Sequence, residues 1–253
     1  MKRTGFFLKS VIVLVGALAL GPASGAGAAS ARLVLTPATV EIGTFFEGTT
    51  VNFSGEIPAG AGAVLEVTGQ AGDEHLMRRG RRGGLWMNVG EIDILHAPAF
   101  YLVLSTDPEL LAPSGGVSAW GYKALEAGVK FTGMIKAGEE KEFFQQFLKL
   151  KERDGLYGTF PGALKRAGGA VQGSFKLPAR AAPGTYRVRL SVVNQGRMVE
   201  EVPGELFVKM VGFPAMLTAL AYEHGVLYGL LAVLIAILAG FIMGFLFKGK
   251  AAH

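Results

Sequence analysis

The run from Gly225 to Phe247, 23 residues without a charge, constrains this chain more than any other feature. As a helix rising about 1.5 Å per residue it is roughly 34 Å long, enough to cross the hydrocarbon core of a bilayer with modest tilt. Lys248 and Lys250 follow at once, and cationic flanks favour the cytoplasmic side. The spacing predicts one transmembrane helix over residues 225–247 and a cytoplasmic tail over 248–253. The preceding domain is expected on the opposite side of the membrane. So short a tail is expected to carry no signal of its own, and any message crossing the membrane to pass to a partner.

Along the span, Ala232, Ala236, Gly240 and Gly244 recur every four residues, with Gly225 and Gly229 ahead of them. A ridge of small side chains lets a second helix approach closely, and that packing drives association in lipid. The expected partner is another membrane protein (a permease) or a second copy of this chain. The plainer alternative is the ordinary richness of membrane helices in Gly and Ala. Residues 213–224, apolar with Pro214 at the start, read as a short juxtamembrane helix at the interface, since Pro suits a first helical turn. Glu223 and His224 read as its solvated junction with the span.

Half the residues are hydrophobic and the mean hydropathy is +0.38, with the excess gathered at the two ends. Residues 1–31 have the three parts of a signal peptide. Lys2, Arg3 and Lys9 form the cationic start, and Val11–Leu20 a core too short to span. Small residues offer cleavage at Ala26-Gly27-Ala28 or Ala29-Ser30-Ala31. Cleavage after Ala31 is expected, an uncleaved N-terminal anchor being the alternative. A bacterial inner-membrane protein with a periplasmic domain is the resulting expectation.

The net charge of +5 invites an anionic partner, but five of the basic residues are Lys2, Arg3, Lys9, Lys248 and Lys250. Without them 20 basic residues face 20 acidic ones, so the outer domain is neutral and nucleic-acid binding is disfavoured. There are no cysteines, which excludes thiol catalysis, iron–sulfur clusters and Cys-ligated zinc.

Between Arg32 and Gly212 short β runs alternate with Gly, Pro, Asn and Asp. Expected strands are 32–35, 40–43, 49–56, 63–69, 75–79, 84–88, 91–95, 100–105, 170–177, 184–194 and 198–211. Asn194-Gln195-Gly196 supplies the turn of a closing hairpin. The interval of about 107–169 reads as a helical insertion. Within it Glu139–Asp154 is a helix, with Glu139, Glu140 and Glu142 in the first turn, Lys149, Lys151 and Arg153 in the last, and Gly155 as the stop. That order complements the helix dipole. Its apolar face, Phe143, Phe144, Phe147, Leu148 and Leu150, is expected to pack on the sandwich, with a docking surface as the alternative. Setting the insertion aside leaves about 118 residues, close to the ~100 of an immunoglobulin-like β-sandwich. The expected fold is therefore mostly β, an immunoglobulin-like sandwich over 32–212 with a helical insertion, plus one transmembrane helix.

The densest polar cluster is Arg78, Arg79, Arg81 and Arg82 on a glycine-rich turn, followed by Leu85 and Trp86. Guanidinium forks match oxyanions, so this turn can bind a small oxyanion, lipid headgroups or an acidic partner face. A solvated hairpin tip is the alternative. His75, His96, His224 and His253 lack metal-binding spacing, and no metal or other cofactor is expected. No nucleophile elbow or phosphate-loop pattern occurs in the sequence, and no tight carboxylate pair suggests glycosidase chemistry. The chain is therefore read as a non-enzymatic accessory or binding subunit. The alternatives are a self-associating structural envelope protein and a hydrolase with scattered site residues.

Several blocks recur in one order: Glu47-Gly48 leading into Val51–Gly55, Gly84-Leu85-Trp86-Met87-Asn88, Pro98-Ala99-Phe100-Tyr101 and Gly155-Leu156-Tyr157. Phe175-Lys176-Leu177-Pro178-Ala179, Pro183-Gly184-Thr185-Tyr186, Lys209 through Gly212-Phe213, and Tyr228-Gly229 follow. Over nearly the whole mature chain this resembles an uncharacterised family of transmembrane proteins first delimited in alphaproteobacteria. The resemblance implies a bacterial envelope location and the same one-span topology, with no established activity or catalytic residues. It also implies association with TauE/SafE-type sulfite or sulfonate exporters, beside which members are often encoded.

Overall fold

The computed structural model describes residues 32–112, 119–135 and 138–248. The expected signal peptide and the tail beyond Lys248 lie outside the described residues. Among the described residues the strands are β1 (Arg32–Thr36), β2 (Thr39–Ile42), β3 (Gly48–Glu56), β4 (Gly62–Thr68), β5 (Ala71–Arg82), β6 (Leu85–Pro98), β7 (Tyr101–Ser105), β8 (Lys130–Gly133), β9 (Tyr157–Phe160), β10 (Lys165–Ala167), β11 (Ala170–Pro178), β12 (Gly184–Asn194) and β13 (Arg197–Met210). The α-helices among the described residues are α1 (Tyr122–Gly128), α2 (Glu140–Arg153), α3 (Gly212–Glu223) and α4 (Gly225–Lys248). The fold is mostly β with one C-terminal apolar helix, as the alternating patterns predict.

Two sheets face each other. One has the order β1-β3-β11-β10, the other β2-β13-β12-β4-β7-β9. Alternation along the strands sends Val51 and Phe53, Leu65 and Val67, Val171 and Phe175, and Tyr186, Val188 and Leu190 into the space between them, all buried. The sheets approach closely at Gly55, where a Cβ would lie 2.7 Å from Leu190 Cδ2 across the core and 3.2 Å from Val171 Cγ1. Tyr186 Oη donates 2.7 Å to the Ala182 carbonyl and so ties the start of β12 to the connection from β11. That bond resembles the tyrosine corner of immunoglobulin sandwiches, and the strand order is comparable to theirs. The parallel β9 edge, paired with β7, and a third sheet have no counterpart there. The described residues thus form a β-rich two-sheet sandwich with a third sheet attached.

The third sheet, β5-β6-β8, departs from the sequence expectation. Three short strands over 75–95 are instead the two long strands β5 and β6, turning at Gly83-Gly84 with φ of 58° and 84°. These are positions that glycine fills without steric cost. The interval read as a helical insertion also holds three strands, β8, β9 and β10, one for each sheet. Helix α2 occupies almost the expected span, and α3 covers the expected juxtamembrane segment. The closing hairpin turns where expected, with Gln195 and Gly196 at φ of 49° and 74°. Helix α4 begins at Gly225, and its candidate span, Gly225–Phe247, has a mean hydropathy of 2.9.

Burial pushes the Tyr186 hydroxyl up to about 12, so it donates at all physiological pH. Tyr186→Phe keeps the buried ring and removes one hydrogen bond, with an expected cost of about 1 kcal/mol. Gly55→Ala presses a methyl group against Leu190 Cδ2, the Arg32 carbonyl and Val171 Cγ1, an overpacking with an expected cost of about 1–3 kcal/mol. Denaturant titration of the full chain in detergent measures both.

Candidate functional site

The β5–β6 ribbon prolongs a pair already present in the sandwich. β4 and β7 are antiparallel neighbours ending at Thr68 opposite Tyr101. Gly69 N then donates 2.8 Å to the Phe100 carbonyl and Ala99 N 2.8 Å to the Gln70 carbonyl. The ladder resumes at Ala71 opposite Pro98 and runs to Arg82 opposite Leu85. At about 3.3 Å per residue the ribbon is roughly 40 Å long, most of it beyond the sandwich.

Its two faces differ. Glu74, Leu76, Arg78 and Gly80 alternate toward α2, opposite Ile94, Ile92, Gly90 and Met87. Ile92 and Ile94 are buried. Helix α2 therefore packs on this third sheet as well as on the sandwich edge. Phe144 meets Phe131 of β8 edge-on at 6.4 Å, and Phe147 meets Tyr157 of β9 edge-on at 5.5 Å. Lys151 is buried near the C-terminal end of α2. Its ammonium donates 2.6 Å to Glu74 Oε1 and lies over the rings of Phe147 and Tyr157. A cleft of about 540 Å³ remains between ribbon and helix, lined by Leu76, Arg78, Ile92, Glu142, Phe143 and Gln146.

The arginine cluster is placed along the strand rather than in the turn. Arg78 lies on the helix side, 3.3 Å from Glu139 Oε2 and over the Phe143 ring at 5.4 Å. Arg79 and Arg81 alternate to the opposite face, where Arg81 stands across from Trp86. Arg82 is at the tip across from Leu85. The four do not converge on one point. Ala232, Ala236, Gly240 and Gly244 all lie on α4, and a Cβ added to Gly240 or Gly244 would meet nothing within 4 Å.

A cluster not expected from sequence lies on the outer face of the ribbon. His75 pairs across the strands with Asp93, and Glu91 is the next residue on that face. His75 Nδ1 is 2.6 Å from Asp93 Oδ1 and 3.9 Å from Glu91 Oε1. One ligand atom from each residue lies within 4.8 Å of the others, so the three can hold a divalent cation. The hydrogen bond to Asp93, followed by its charge, raises the His75 pKa above 6.5. The grouping follows from the ribbon's register, which the spacing of these residues in the sequence does not show.

Three tyrosines pack where ribbon, sandwich and helices meet. Tyr101 Oη pairs with the backbone of Gly121, Tyr157 Oη donates 2.6 Å to the Pro98 carbonyl, and Tyr122 Oη donates 2.6 Å to Glu152. Burial is the main cause of the raised pKa of all three. They are neutral, hydrogen-bonded packing groups.

A β-rich domain joined through a short helix to one apolar span defines a single-pass membrane protein. Residues 32–249 match the family described as "Putative transmembrane protein" (Alph_Pro_TM), and the chain belongs to that family. Comparison with curated proteins finds no match.

Glu74→Gln leaves the buried Lys151 ammonium without its charged partner, with an expected cost of about 2 kcal/mol. Lys151→Met removes the charge but keeps an apolar stem, and is expected to cost less. Unfolding of the two variants side by side tests this order. The His75–Asp93 contact is complete below pH 6.5 and is lost as pH rises through the raised His75 pKa. NMR titration of the imidazole should show a midpoint above 6.5 that Asp93→Asn returns toward the ordinary value.

Proposed function

We propose that the protein is a non-enzymatic accessory or binding subunit of an inner-membrane complex. Its β-rich domain lies on the periplasmic side and its C-terminus in the cytoplasm. The observation that carries this reading is the state of α4. None of its most apolar window is buried by the rest of the protein, and Gly240 and Gly244 open a shallow groove flanked by Ile237, Phe241 and Phe245. A partner helix fills such a groove with van der Waals contacts that lipid chains make less closely. The resemblance to a family encoded beside TauE/SafE-type exporters makes a permease of that kind the first partner to seek.

Affinity purification of the full chain from native membranes, with gentle crosslinking and mass spectrometry, tests the proposal. A permease should be recovered in stoichiometric amount and be lost when Gly240 and Gly244 are both replaced by Leu. Recovery of the chain alone overturns the reading. Recovery only as homo-oligomers replaces it with a self-associating envelope protein.

A further inference from the structure

We propose that the tip of the β5–β6 ribbon is a second membrane-contact element, which seats its arginines and Trp86 on the anionic headgroups of the leaflet nearest the domain. The inference rests on α4 being a membrane span and is independent of any protein partner. Three observations carry it.

The first is position. The end of β13 lies beside the start of β12, with Val208 opposite Gly184. The start of β12 in turn lies beside the end of β4, with Arg187 opposite Thr68. The chain therefore leaves for α3 and the span from the same end of the sandwich at which the ribbon leaves β4. The Gly43–Glu47 loop is at that end too, since Val211 N donates 2.9 Å to the Ile42 carbonyl. It carries Phe45, which is 93% exposed. The connection between β12 and β13, at Asn194–Arg197, is at the opposite end.

The second is charge. Residues 79–90 contain Arg79, Arg81 and Arg82 and no acidic residue, whereas Arg78 is engaged by Glu139. Arginines divided between two ribbon faces are poorly arranged to enclose one small ion. They are well arranged to meet neighbouring phosphates in a headgroup layer, each worth about a five-fold gain in partition near an anionic surface. The third is exposed apolar surface. Leu85 and Trp86 are 70% and 73% exposed, and Met87 is exposed beside them. Cross-strand pairing puts Trp86 next to Arg81 and Leu85 next to Arg82. Each face of the tip thus presents a guanidinium with an apolar side chain, the combination that settles at a bilayer interface.

The chain has no cysteine, so Asn88→Cys gives a single labelling site at the tip, and Arg197→Cys gives one at the far end of the sandwich. Each full-length variant is labelled with an environment-sensitive fluorophore and reconstituted, without partners, into phosphatidylcholine vesicles with or without phosphatidylglycerol. Flotation with the vesicles is scored first, so that failure of α4 to insert is read separately. In anionic vesicles the tip label should shift to the blue and be quenched by brominated acyl chains. The shift should be lost in high salt and when Arg79, Arg81 and Arg82 are all replaced by Glu. The label at residue 197 should stay water-like throughout. A tip label that stays water-like in anionic vesicles overturns the proposal. So does one that shifts to the blue without bromine quenching, which would indicate contact between copies. Trp86 emission in Trp120→Phe provides the same readout without a label, should Asn88→Cys fail to fold.

Discussion

The architecture depends on the junction of Gly69 and Phe100, where a sandwich pair becomes a free ribbon. Phe100 is fully buried, its ring 5.5 Å from Tyr186 and 6.5 Å from Phe175, so it contacts strands of both sheets. The backbone across from it is so close that a Cβ on Gly69 would sit 2.9 Å from the Phe100 amide nitrogen. A core side chain thus clamps the root of an element most of whose length lies outside the core. Without that anchor the ribbon would be an isolated two-stranded hairpin, which is marginally stable in water.

Helix α2 supplies what a two-stranded ribbon lacks, a layer for its apolar face. Phe144 and Phe147 of α2 and Ile92 and Ile94 of the ribbon are all buried, and Ile94 shares one core cluster with both phenylalanines. Lys151 is the polar exception at this interface. Its stem is enclosed, its ammonium lies against two aromatic rings, and Glu74 supplies the opposite charge. Burying that ammonium is tolerable because it is paired, and the pair fixes how α2 lies along the strand. The support ends near Arg78, which is bound to Glu139 just ahead of the helix. Beyond it the tip has no covering layer among the described residues, and there the exposed Leu85, Trp86 and Met87 occur.

The features legible in sequence were those set by local chemistry. An uncharged run of bilayer length, the acidic-to-basic order along α2 and the Asn194-Gln195-Gly196 turn each act within a few residues. What escaped depends on distant register. The strands β8, β9 and β10 have weak patterns of their own and become strands only because an exposed sheet edge is available to each. The ribbon shows the point most clearly. Counting back from Gly83-Gly84 with a period of two would set His75 opposite Ile92. The register instead slips by one at Val89, after which Arg78 faces Gly90 and His75 faces Asp93. That bulge lets Leu76 pair with Ile92 on the helix side and gathers His75, Glu91 and Asp93 outside. The arginines were visible from the start, but their division between two faces follows from their lying in a strand.

A domain held by one helix can tilt and swivel against the bilayer, and α3 adds a joint between domain and span. One further weak contact changes this greatly, because the tether already holds the tip near the surface at high effective concentration. Such a contact need not be strong in isolation. It has only to fix the side of the sandwich that faces the membrane, and so the side left free for anything else. On the proposed orientation the outer-face cluster of His75, Glu91 and Asp93 lies between the sandwich and the headgroups. The Asn194–Arg197 turn, at the opposite end, points away from the lipid. The basic tip and the acidic patch further up the same strands then have separate tasks, the tip facing lipid and the patch facing the aqueous space beneath the domain.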